Sequence, residues 1–198
     1  MRTPFAPWAS PAPGTLLTIL GLLAGCGTRS NTNTSREVTA AELERGHALA
    51  GNLKKALVAE LGTAIGKGLP NAIEVCQTRA PAIAAALSTD GARVGRTTRR
   101  PRNPSNRAEG WKLDALAQFE DQHARAQPLK TATFSRVLPD GRVAYAEPLV
   151  IQELCVTCHG TELANEVRTA LAARYPSDEA TGYAVGDLRG IVWVELAP

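Results

Sequence analysis

The clearest periodic pattern in the sequence is a run of leucines at helical spacing in its first half. The run consists of Leu43, Leu49, Leu53, Leu57 and Leu61. Thr39 and Glu42 have the spacing of a capping box just before it, and Gly66 and Gly68 follow it. This pattern predicts a long N-terminal helix.

The segment after these glycines has the composition of short helices and turns. Asn71 and Glu74 indicate a helix start, and the apolar positions that follow predict a short helix that carries Cys76. Pro81 is expected to open a further helical run to Leu87, because proline is favoured in the first turn of a helix.

Strand patterns begin only after residue 90. We predict a strand around Val94, a hairpin formed by 134–137 and 143–151 around Pro139-Asp140-Gly141, and a terminal strand over 188–196. Helices are predicted over 108–123 and 161–174. The order of these elements predicts an α+β fold in which helices flank an antiparallel sheet.

Residues 1–25 have the pattern of an export signal. Arg2 precedes an apolar stretch over 16–24 that is too short to span a membrane. Leu23-Ala24-Gly25-Cys26 resembles the lipobox of bacterial lipoproteins, in which the cysteine is lipidated and becomes the mature N-terminus. The alternative is cleavage nearby, with Cys26 left as a free or disulfide-bonded thiol. Gly27 after the cysteine favours sorting to the outer membrane.

The polar residues after the lipobox complete the predicted organisation. We expect a lipidated flexible tether over 26–37 and one globular domain over 38–198. The formal net charge of +3 gives no indication of nucleic-acid binding. We therefore expect a protein on the periplasmic side of the envelope, held to the membrane by lipid at Cys26.

The strongest chemical signal is Cys155-Val156-Thr157-Cys158-His159, the pattern of c-type haem attachment. Two thiols on one short turn can add to two haem vinyl groups, and the next residue can place its imidazole beneath the iron. The alternatives for the cysteines are a redox-active disulfide, half of a zinc site or a structural disulfide.

The second axial ligand of such an iron is left open by the residues alone. Met1 is the only methionine and leaves with the signal, which excludes a His/Met iron if cleavage occurs. His47, His123, Cys76 and a vacant position remain. The alternative to iron ligation by Cys76 is a structural role as a buried cysteine, since apolar residues surround it in the sequence.

Several further motifs resemble a known family, the periplasmic c-type haem domains with a PAS-like fold. The resemblance runs from about Glu42 to the C-terminus. Besides the haem motif, it is carried by Ala72-Ile73-Glu74-Val75-Cys76 with Ala80-Pro81, Val94-Gly95-Arg96-Thr97, Arg102-Asn103-Pro104-Ser105-Asn106, Tyr175-Pro176, Thr181-Gly182-Tyr183 and Gly186-Asp187-Leu188-Arg189-Gly190.

The resemblance implies a PAS-like antiparallel sheet and an iron ligated by His159 and by the thiolate of Cys76. Such a ligand set implies a low reduction potential. Arg96 and Arg102 lie in family-like motifs of an arginine-rich segment and are expected to bind haem propionates; the alternative is a solvated basic loop. Trp111, Tyr175 and Tyr183 are either walls of the haem pocket or ordinary core residues.

These features predict a non-enzymatic haem protein with one covalent haem c. We expect a one-electron carrier or a redox sensor that acts with a separate, unidentified redox or signalling protein of the envelope. The alternative is a haem-based sensor of NO or CO. A peroxidase-type enzyme is disfavoured, because no acid/base constellation can be named.

Overall fold

The computed structural model describes residues 36–198. The predicted signal peptide, Cys26 and most of the predicted tether lie outside these residues. The described helices are α1 (Ala40–Ile65), α2 (Leu69–Leu87), α3 (Trp111–Ala124), α4 (Val156–His159) and α5 (Asn165–Arg174), and the strands are β1 (Ala92–Thr97), β2 (Phe134–Val137), β3 (Val143–Val150) and β4 (Leu188–Leu196). Short 3₁₀ turns lie at Pro104–Asn106 and Glu153–Cys155.

The four strands form one antiparallel sheet in the order β1-β4-β3-β2. The last strand of the chain therefore lies in the middle of the sheet, where it pairs with both β1 and β3. Helices cover both faces of the sheet: α1 packs on one face and α3 on the other. This architecture confirms the predicted α+β class with an antiparallel sheet and flanking helices.

Helix α1 begins with the predicted capping box. The Thr39 hydroxyl accepts a hydrogen bond from the Glu42 N–H at 3.3 Å, and the Glu42 carboxylate accepts one from the Thr39 N–H at 2.8 Å. Arg36 adds a two-pronged ion pair, which lowers the pKa of Glu42 to about 2 together with the bonds from Thr39. At Gly46, an added Cβ would lie 2.6 Å from the Cγ of Tyr145, so glycine allows α1 to lie close to β3.

Helix α2 differs from the prediction. Residues 69–87 form one continuous helix with Pro81 inside it, so the predicted break at Pro81 is wrong. A proline in the interior of a helix removes one backbone hydrogen bond. The helix continues because residues on both sides of the proline are packed: Ala72, Ile73 and Ala80 are buried, and Ile83 contacts the sheet core.

Besides the two apolar clusters on the faces of the sheet, a third apolar cluster links α2 to α5. Ile73 on α2 packs against Val167, Leu171 and Tyr175, and Cys158 lies at the edge of the same cluster. Two polar contacts reinforce this packing: Arg174 forms an ion pair with Glu74 at 2.6 Å, and Gln77 donates a hydrogen bond to the Arg174 carbonyl at 3.2 Å. This packing fixes the position of α2 relative to the cysteine motif.

Candidate functional site

A cleft of about 530 Å³ lies along the edge strand β1. Its walls come from α2, β1, the loop after β1 and the start of β4. Cys76, Arg96, Arg102 and His159 all line it, so the fold brings together four predicted site residues that are up to 83 positions apart in the sequence. The cleft is therefore the candidate functional site.

The cysteine motif lies on two consecutive short turns beside this cleft. Cys155 ends the 3₁₀ turn at 153–155, and α4 carries Cys158 and His159. Cys76, Cys155 and Cys158 are all free, half-buried thiols. Burial raises the pKa of the Cys158 thiol, while the positive charge of Arg102 opposes this shift.

His159 is held in one orientation by the loop before β4. Its Nδ1 lies 2.6 Å from the carbonyl oxygen of Ala180, and because a carbonyl only accepts, Nδ1 carries the hydrogen. The Tyr183 N–H donates to the His159 carbonyl at 2.9 Å. Burial, with the positive charges of Arg102 and Arg189, lowers the pKa of the imidazole to about 3. The ring is therefore neutral near pH 7, and its Nε2 is a lone-pair donor.

Cys76 enters the cleft from α2. Burial raises the pKa of its thiol, and the nearby Arg96 and Arg102 oppose this shift. The other sequence candidates for a second ligand lie elsewhere: the His47 side chain is 73% exposed and bonded to Glu147, and His123 lies 4.0 Å from Asp187 on a separate, second cavity. Of the three, Cys76 alone lines the cleft with His159.

Arg102 connects the cysteine motif to the loop that orients His159. Its Nε forms an ion pair with Asp178 at 3.0 Å, and the two side chains are only 12% and 11% exposed. Its terminal nitrogen donates to the carbonyls of Cys158 and Ala180. Asp178 in turn accepts a hydrogen bond from the Ala180 N–H at 2.7 Å. The guanidinium of Arg102 is thus bonded to residues of the chain itself, and these bonds give Arg102 a positioning role. The predicted contact of Arg102 with a haem propionate stays a prediction.

Arg189 was assigned no role by the sequence, although it lies in one of the family-like motifs. One of its terminal nitrogens donates to the Thr98 hydroxyl at 3.2 Å and to the Arg100 carbonyl at 3.1 Å. Its Nε is buried and has no partner within the described part of the chain. Burial, together with the repulsion of Arg102 and Arg96, lowers the pKa of Arg189 to about 10.

The three aromatic residues considered from the sequence have different positions. Tyr175 lines the cleft. Tyr183 presents its ring to His159 in an edge arrangement, with centroids 6.4 Å apart, and Arg100 stacks over it at 4.6 Å. Trp111 packs in the core under α3 and donates a hydrogen bond to Glu195, so it is not a wall of the cleft.

Two features are absent from residues 36–198. No group of three or more His, Cys, Asp or Glu side chains in this range is arranged to hold a metal ion. None of the helices described combines the length and the apolar character needed to cross a bilayer.

Comparison with known proteins places the chain in a family. No curated protein matches it. The crystal structure of the cyanobacterial haem-protein Tll0287 is similar, with a TM-score of 0.58 and 27% sequence identity, over 81% of this chain and 97% of that one. The family model for Tll0287-like proteins matches residues 28–197. The chain therefore belongs to the Tll0287-like family.

Proposed function

We propose that the cleft holds one c-type haem, attached to Cys155 and Cys158, and that His159 and Cys76 would be the two residues that ligate its iron. The observation that carries this proposal is the pairing of a fixed imidazole and a thiol in one cleft. His159 has its Nδ1 occupied by the Ala180 carbonyl, which leaves Nε2 for iron, and Cys76 lines the same cleft from α2. The similar solved protein is itself a haem-protein.

The residues present fit the chemistry of covalent attachment. Cys155 and Cys158 are free thiols on consecutive turns, and each can add its S–H across one vinyl double bond, with sulfur on one carbon and hydrogen on the other. No oxidant is required, because the addition is redox-neutral. Of the cations that line the cleft, Arg96 and Arg189 have no ion pair among the described residues, and a haem would bring two carboxylates there.

The ligand set supports single-electron chemistry in preference to catalysis. With His159 and the thiolate of Cys76 as ligands, the haem iron would supply one-electron chemistry at a low potential, since thiolate favours the ferric state. The chain's own part is to fix His159 through Ala180 and to hold Cys76 on a packed helix. We infer a one-electron carrier or redox sensor, not an enzyme, that acts with a separate redox or signalling protein.

The proposed location follows from the sequence of the N-terminal region. We infer that the mature protein begins at Cys26, is anchored by lipid there, and acts on the periplasmic side of the envelope, at the outer membrane. Covalent haem attachment agrees with export, because bacteria complete c-type attachment outside the inner membrane.

Electron paramagnetic resonance of the ferric protein tests the ligand set directly. The full chain is made with a c-haem maturation system, beside Cys76→Ala and beside His47→Gln as the matched control at the other sequence candidate. We expect a low-spin signal with the narrow spread of thiolate ligation, lost in Cys76→Ala and kept in His47→Gln. A high-spin wild type, or a signal that Cys76→Ala leaves unchanged, would contradict the proposal.

Covalent attachment has its own test. After denaturing electrophoresis, haem staining should follow the wild-type band and should be absent from the Cys155→Ala/Cys158→Ala double variant. Haem that leaves the wild-type chain on denaturation would exclude a c-type attachment.

A further inference from the structure

The cations that line the cleft fall into two groups. Three of them are neutralised by carboxylates: Arg102 by Asp178, Arg107 by Glu179 and Lys112 by Glu195. Arg96 and Arg189 line the same cleft, yet neither has an ion pair within residues 36–198. The cleft therefore contains two positive charges that the described chain does not balance.

Arg189 is the more unusual of the two. Its side chain is half-buried, its hydrogen bonds go only to the neutral oxygens of Thr98 and Arg100, and its Nε is a buried donor without a partner among residues 36–198. A buried charge is costly unless an opposite charge compensates it, and an unmade buried hydrogen bond adds to that cost. Within residues 36–198, Arg189 thus has no carboxylate that pairs with it directly.

The sheet places the two arginines near each other on neighbouring strands. Arg96 on β1 is paired in register with Val192 on β4, and Arg189 lies three residues before Val192 on β4. Both residues line the cleft that holds Cys76 and His159, and Arg189 also lines the neighbouring second cavity. Two cations in one cleft suit a ligand with two carboxylates, and guanidinium groups bind carboxylates through paired hydrogen bonds.

We propose that Arg96 and Arg189 bind the two propionates of the haem, and that Arg102, which is already neutralised by Asp178, only positions the cysteine motif. This inference rests on the haem assignment proposed above. It adds Arg189 to the cofactor site and removes Arg102 from the propionate contacts. The arginines balance the acidic edge of the ligand, and that edge supplies the anion that Arg189 lacks.

Resonance Raman spectra and redox titrations of the haem-loaded full chain test the proposal, with Arg96→Gln, Arg189→Gln and Arg189→Lys compared with the wild type. Arg136→Gln is the charge-matched control, since Arg136 lies on β2 at the opposite edge of the sheet and pairs with Asp114. We expect the propionate bending band to shift in both cleft Gln variants. We also expect their ferrous–ferric equilibrium to move about tenfold toward ferric iron, because a nearby cation is lost.

The remaining variants separate charge from geometry. Arg189→Lys should keep the wild-type equilibrium within about twofold but shift the band, because lysine retains the charge without the two-pronged bond. It also keeps the test decisive if Arg189→Gln does not fold. Arg136→Gln should change neither readout. Unchanged bands in Arg96→Gln and in the Arg189 variants would overturn the propionate assignment while haem binding stands; a wild type that carries no haem would overturn both.

Discussion

Buried charge is treated in opposite ways by the sheet core and by the cleft. In the core, Glu195 on β4 accepts a hydrogen bond from Trp111 at 2.8 Å and binds Arg93, with Arg142 at 3.4 Å. Glu147 on β3 accepts bonds from Tyr145 and His47 at 2.7 Å and from Lys54 at 2.6 Å. Both carboxylates are almost completely buried and each has several donors beside it, although the Arg142 Nε near Glu195 makes no hydrogen bond within the described residues.

The cleft has the reverse arrangement. Arg96 has no carboxylate partner among the described residues, the Nε of Arg189 is an unmatched donor, and Nε2 of His159 is left free by the bond at Nδ1. We call the buried carboxylates of Glu147 and Glu195, together with the donors around them, closed networks. We expect these networks to contribute to the stability of the folded chain. Unmatched groups that line a cleft indicate, in contrast, where a ligand completes the structure.

The largest effect that this comparison predicts is the loss of the Glu195 network. Glu195→Ala leaves the indole N–H of Trp111 and the cations around it without their acceptor, and we expect it to lower the free energy of unfolding by about 3 kcal/mol. Chemical denaturation at neutral pH measures this. The control is Glu120→Ala, which removes an exposed ion pair to Arg99 and should cost less than about 0.5 kcal/mol. A loss below about 1 kcal/mol for Glu195→Ala would show that the network is not stabilising.

A smaller effect is expected for Arg102, which lies at the boundary between the two regions. Arg102→Ala removes the ion pair to Asp178 and the bonds to the carbonyls of Cys158 and Ala180, so we expect a loss of about 2 kcal/mol. Because the same contacts hold the motif to the loop that orients His159, the low-spin ferric signal should also broaden. Arg99→Ala, an exposed position in the same loop, should change neither quantity. A broadened signal without a loss of stability would separate the two roles of Arg102.

The sequence predicted most of the elements because their signals are local. The capping box of Thr39 and Glu42, the hairpin around Gly141 and the terminal strand over 188–196 depend on neighbouring residues, and all three lie where predicted. The break at Pro81 was wrong because packing on both sides of the proline, which is a tertiary effect, keeps α2 continuous.

The candidate site was predictable where residue type alone decides the chemistry. The cysteine motif belongs to that class, whereas Cys76 was singled out by the family resemblance, and the fold brings Cys76 and His159 to one cleft. The sequence could not show that Arg102 is paired with Asp178 or that Arg189 bonds only to neutral oxygens. In both cases the contacting residue lies more than 70 positions away along the chain. The family-like motif around Arg189 indicated its importance but not its role.

The smallest effect concerns pH and the core carboxylate of Glu147. Although burial alone would raise the pKa of Glu147, hydrogen bonds from Lys54, Tyr145 and His47 lower it below its ordinary value of 4.5. A carboxyl with a lowered pKa in the folded state stabilises the fold above its unfolded-state pKa, and this contribution is lost as the pH falls through the folded value.

Glu147→Gln should therefore cost about 1 to 2 kcal/mol near pH 7, and the difference from wild type should shrink as the pH falls below about 4.5. Denaturant titrations across this range measure the difference. Gln118→Ala, which removes an exposed hydrogen bond to the Thr133 carbonyl and no titratable group, should give a difference that does not vary over the same pH range. A gap between wild type and Glu147→Gln that stays constant down to about pH 3 would show that the closed network owes its stability to packing, not to charge.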